Sequence, residues 1–141
     1  TLDVVKTGRT VNRDELKYIY ENKTSALIEC AMMAGALLGG AKDEAVDTIC
    51  QVANCVGMAF QVQDDILDVE GDEAVLGKPV LSDEKNKKYT YVTIYGLDKA
   101  KAYVRAKSDE ANSLLKGLEV FDEEARTELI ELINLLVDRD R

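Results

Sequence analysis

Three carboxylates, Asp64, Asp65 and Asp68, fall within the nine-residue stretch FQVQDDILD at 60–68. A separation of four sets Asp64 and Asp68 one above the other on a helix face and turns Asp65 about 100° away. Counting backwards from Asp68 in threes and fours meets Asp64, Phe60 or Gln61, Gly57, Ala53, Cys50 and Val46, an apolar row. The spacing therefore predicts that the aspartates continue the buried face of their helix. A buried carboxylate without a partner costs several kcal/mol, so it needs hydrogen bonds, a cation or an aqueous cleft. A hard divalent cation suits such oxygens, and magnesium accepts one or two carboxylates together with waters and phosphate oxygens. The plain alternative is a solvated acidic turn at a helix end. A calcium loop fits poorly, because Val69, Glu70 and Gly71 do not complete the alternating ligand pattern.

Two cations complement these acids. Lys23 falls on an apolar stripe between Ile19 or Tyr20 and Leu27, with the Thr24 hydroxyl beside it. Such a lysine either snorkels to the surface or points its ammonium into a polar cleft of a helical bundle. Lys78 stands between Gly77 and the chain's single proline, Pro79. Proline fixes the backbone and glycine permits close approach, which would present Lys78 to a ligand; an ordinary exposed turn lysine is the alternative.

The elements that position these residues read as helices. Nine glycines and one proline punctuate the chain, and no alternating strand pattern competes. Asn12, with Glu15 three residues on, caps a first long helix running to Gly39-Gly40, with the stripe Leu16, Ile19, Tyr20, Leu27, Cys30, Ala34 and Leu37. A second begins near Asp43 and ends by Gly71, followed by a loop to Leu81. Ser82 caps a third, closed by Gly96. Asp98 caps a fourth with Ala100, Val104, Ala111, Leu114, Leu115 and Leu118 inward. Asp122 caps a fifth built on Ala125, Leu129, Leu132, Ile133 and Leu136. The fold class is an all-α helical bundle. The opening TLDVVKTGR has no helix start of its own and reads as the tail of an element that begins upstream.

Composition narrows the function. With 141 residues, 46% hydrophobic, the chain can bury a sizeable core. Eighteen basic against 27 acidic residues give a formal charge of −9, which repels a phosphate backbone and excludes nucleic acid as a partner. No apolar run reaches the length of a membrane span, and the expectation is a cytoplasmic protein. Cys30, Cys50 and Cys55 lack the spacing of a zinc site or disulfide framework and read as reduced core residues. The chain has no histidine, so its chemistry falls to carboxylates, lysines and bound metal.

Three segments together, KTSALI at 23–28, FQVQDDILD at 60–68 and GKPVLSD at 77–83, resemble in order and spacing three blocks of the trans-isoprenyl diphosphate synthases, farnesyl and geranylgeranyl diphosphate synthases above all. The likeness covers nearly the whole chain. It implies that residues 1–141 are the C-terminal part of a single all-helical prenyl synthase domain, the C-terminal half of the isoprenoid synthase fold. By the same likeness, Asp64, Asp65 and Asp68 form the second aspartate-rich motif, which holds Mg2+ against an allylic diphosphate. Lys23, Thr24, Gln61 and Lys78 match positions that touch that diphosphate or flank the nascent carbocation, and Phe60 is a wall residue. Lys23, Thr24, Gln61 and Asp64 would carry the catalysis.

The implied reaction joins isopentenyl diphosphate to an allylic diphosphate, which needs charge neutralised on the departing oxygens but no histidine base. The departure from the family is an absence: the first aspartate motif and the basic residues that hold isopentenyl diphosphate are not in these 141 residues. The chain alone is therefore expected to be inactive, and the full-length protein to be a homodimer. The alternatives are a noncatalytic subunit that binds a catalytic partner and a class I terpene cyclase. The intact metal motif weighs against the first, and the GKP loop against the second.

Overall fold

In a computed structural model, the described residues are 12–76, 89–119 and 122–139, with the backbone alone at 72–76. All regular structure among them is helical. Helix α1 spans Arg13–Tyr20, a π-helical turn Glu21–Ser25 follows, and α2 spans Ala26–Leu38. Helix α3 runs through Asp43–Leu76, α4 through Tyr91–Tyr95, α5 through Leu97–Lys116 and α6 through Glu123–Val137. The opening segment, the residues around Lys78 and the Ser82 cap lie outside the described residues.

Helix α3 is the axis of the bundle. Between Val52 and Ala59 almost every side chain is buried, because α2, the π turn, α5 and α6 pack around it. Its core residues Ile49, Val52, Val56, Val62 and Ile66 meet Val104, Ala111 and Leu115 of α5 and Ile133 and Val137 of α6. Caps fix the starts of the surrounding helices. Asn12 and Glu15 form a reciprocal capping box at 2.9 and 3.2 Å. Asp122 accepts from the Glu124 amide at 2.8 Å and opens α6.

Several expectations change. The first helix is not continuous: Lys23, at φ −100° and ψ −113°, breaks it inside the π turn, so α2 presents a different face from the one extrapolated out of α1. Leu16, Ile19 and Tyr20 are buried, but Leu27, Cys30, Ala34 and Leu37 beyond the break face solvent. Cys30 is thus a surface thiol, and of the three cysteines only Cys55 is fully buried. Helix α3 continues past Gly71 to Leu76, because a lone glycine costs only about 1 kcal/mol in a helix held by packing. Gly96, at φ +90°, ends α4 and is itself the N-cap of α5, so Asp98 sits in the first turn and does not cap. On α6, Ala125 and Leu132 are exposed and Val137 takes the inward place.

Candidate functional site

The π turn crosses α3 and is fastened to it at both ends. Tyr20 comes first: its hydroxyl donates to Asp65 Oδ2, and its carbonyl accepts from Gln61 Nε2. Ser25 comes last, fully buried against Gly57, where a side chain on residue 57 would stand 2.6 Å from Ser25 Cα. Only glycine allows that approach. Since Tyr20 meets residues 61 and 65 and Ser25 meets residue 57, the turn runs antiparallel to α3. Lys23 and Thr24 therefore pass the stretch Gly57–Gln61, about one helical turn before Asp64.

The three aspartates do not share an environment. Asp65 is buried, 7% exposed, and accepts from the Tyr20 hydroxyl and from the Tyr91 amide at 3.4 Å. The same amide lies 3.1 Å from the Tyr20 hydroxyl, so the first residue of α4 is tied into this junction. Asp64 and Asp68 stand on the open side of α3. The Asp64 side chain is 52% exposed and ion-pairs with Arg139, whose guanidinium also lies 4.0 Å from the centre of the Phe60 ring.

This reverses the expected placement: Asp65, not Asp64 and Asp68, continues the buried face. The cause is the all-round burial of residues 52–59, which leaves no single apolar stripe to extrapolate. Beyond it, the rows Val62–Ile66 and Phe60–Asp64–Asp68 continue equally well in sequence, and packing selects the first.

The sequence-selected residues divide accordingly. Lys23 is exposed, Thr24 is half-buried, and Gln61 is buried with its amide spent on the Tyr20 carbonyl. Phe60 is covered on one face by Arg139, and Lys78 lies outside the described residues. Among the described residues no three Asp, Glu or Cys side chains converge as metal ligands. The donor set nonetheless fits magnesium, because Asp64 and Asp68 are exposed i,i+4 neighbours on an open helix face and offer two carboxylates, with room for water and phosphate oxygens. Asp65 is engaged elsewhere.

A family model described as polyprenyl synthetase matches residues 1–133. The chain belongs to that family. It is 37% identical over 138 residues to a farnesyl diphosphate synthase of Bacillus subtilis, covering 98% of this chain and 45% of that one. It is also 37% identical over 140 residues to a chloroplastic geranylgeranyl pyrophosphate synthase of Catharanthus roseus, covering 99% and 38%. The polyprenyl synthetase fold here superposes with a TM-score of 0.77 on a Helicobacter pylori geranyltransferase solved with magnesium and isoprenyl diphosphate, at 29% identity, covering 98% of this chain and 45% of that one. The chain thus spans less than half the length of these relatives. No helix among the described residues is long and apolar enough to cross a membrane.

Tyr20 and Arg139 are the site residues that sequence reasoning missed. Tyr20 was visible only as part of an apolar stripe, although a buried tyrosine hydroxyl needs a partner and an inward aspartate needs a donor. Arg139 lies 75 residues from Asp64, and nothing local links them.

Proposed function

We propose that this chain is the magnesium- and diphosphate-holding part of a prenyltransferase that joins isopentenyl diphosphate to an allylic diphosphate. The observation that carries the reading is the pair Asp64 and Asp68 on the open face of α3, beside a lysine-bearing break that Tyr20, Gln61, Ser25 and Gly57 fasten in place. Family membership supports it, as does the relative solved with magnesium and isoprenyl diphosphate.

In this reading Asp64 and Asp68 hold magnesium, which when bound supplies positive charge against the departing diphosphate oxygens. Lys23 adds its ammonium to the same oxygens, Thr24 offers a hydroxyl, and Lys78 contributes a second ammonium. Phe60 walls the pocket against water. Gln61 and Asp65 act through the backbone they hold: they keep the π turn in register with the aspartates. The double bond of isopentenyl diphosphate attacks the allylic carbon as its bond to diphosphate breaks, and the released diphosphate takes the proton. The residues that bind isopentenyl diphosphate and the facing aspartate motif belong to the part of the fold these 141 residues do not span. The chain by itself is accordingly inactive. The apolar outer face of α2 is covered in the working homodimer.

The test is turnover of an allylic diphosphate with radiolabelled isopentenyl diphosphate by the full-length protein. Asp64→Ala is expected to lower kcat/KM by orders of magnitude. Turnover near that of the unaltered protein would remove Asp64 from the mechanism.

A further inference from the structure

Val137 anchors the end of α6 in the core, and two residues further on Arg139 makes three contacts with the stretch that carries the aspartates. The Arg139 carbonyl accepts from Gln63 Nε2 at 3.2 Å, its guanidinium ion-pairs with Asp64, and the guanidinium plane lies over Phe60. Gln63, Asp64 and Phe60 all belong to the stretch that carries the aspartates. The closed arrangement is incomplete. Arg139 Nε is buried without a hydrogen-bond partner among the described residues, and burial lowers the arginine pKa from its ordinary value. Asp64 keeps half its surface in water. A partly exposed ion pair of this kind closes only weakly.

We propose that Arg139 is a latch: in the unliganded protein its guanidinium supplies the positive charge that a divalent cation supplies at Asp64 in the liganded one, and the two exclude each other. The proposal rests on the reading of Asp64 as a magnesium ligand and adds a cation-dependent movement of the chain end to it. Since the latch and the metal compete for one carboxylate, the apparent dissociation constant of the metal is raised by the inverse of the open fraction. Binding of the cation frees Arg139 from both Asp64 and Phe60, uncovering the ring that walls the pocket. The spare Nε–H then becomes available to an anion.

The probe is Mn2+, followed by the loss of its free-ion electron paramagnetic resonance signal on titration into the full-length protein without substrate. Arg139→Gln is expected to bind Mn2+ about threefold to tenfold more tightly than the unaltered protein, with Arg139→Lys between them. Asp64→Asn should lose the site, and the double variant should match Asp64→Asn alone. Equal or weaker binding by Arg139→Gln overturns the latch while leaving Asp64 a ligand. Unchanged binding by Asp64→Asn overturns the latch together with the reading beneath it.

A second measurement leaves Arg139 in place. A nitroxide on Asp138→Cys, with exposed Cys30 replaced by serine, should gain mobility when Mg2+ is added. A spectrum unaffected by Mg2+ contradicts release of the arm.

Discussion

The two sides of the break at Lys23 are built to different standards. On the inner side, Tyr20 and Ser25 meet α3 with no spare volume and with paired polar atoms: a glycine admits the serine, and a carboxylate and an amide are satisfied by the tyrosine. On the outer side, α2 holds Leu27 72% exposed, Leu37 56% exposed and Leu38 91% exposed, although its composition is the more apolar of the two. What separates them is coverage. The described residues complete the junction against α3 and leave the outer apolar face of α2 uncovered among themselves.

The sharpest way to break this contrast is at Gly57. Gly57→Ala would drive a methyl group into Ser25, whose backbone is fixed, and should cost about 1–3 kcal/mol or more, read as a fall in urea midpoint. A midpoint unchanged within error would mean that the π turn is not held against α3. Next in size is Tyr20→Phe, which removes the hydroxyl shared by Asp65 and the Tyr91 amide and should cost about 1–3 kcal/mol. The loss should exceed that of Tyr18→Phe, a tyrosine exposed on the same helix.

Chemical labelling sharpens the same comparison. Cys30, on the open side of α2, should react with a thiol reagent immediately. Burial pushes the Cys55 thiol up to about 11, so at pH 8 only about a thousandth is thiolate, and its labelling should wait for unfolding. Mass spectrometry of the labelled peptides gives the order directly. The smallest effect is expected at Leu38→Lys, which should alter the stability of this chain by less than about 0.5 kcal/mol. A large loss there would show that the outer face is covered within these 141 residues.

The helical class and most of the caps were legible in sequence because both rest on local chemistry. Asn12 with Glu15, Asp122 and Gly96 sit where their side chains or backbone freedom place them. The junction was not legible for the opposite reason. The Tyr20–Asp65 bond spans 45 residues and the Arg139–Asp64 pair spans 75, and neither leaves a periodic trace. The facing of the aspartates failed at a particular place: where α3 is buried on every side, apolar residues occupy every position and the period that tells inside from outside disappears. The resemblance to the synthases singled out the three acids without revealing that they divide between two environments.

That division is the central claim, and one crossed experiment measures it. Asp64→Asn and Asp65→Asn, made in the full-length protein, are compared in melting temperature and in prenyl-transfer turnover. Asp64→Asn should keep the melting temperature within a degree or two, since it loses only an exposed pair, and should lose turnover by orders of magnitude. Asp65→Asn should instead lower the melting temperature by several degrees, because a buried acceptor of two donors is weakened. The reverse pattern, with a stable Asp65→Asn and an unfolding but active Asp64→Asn, would contradict the account.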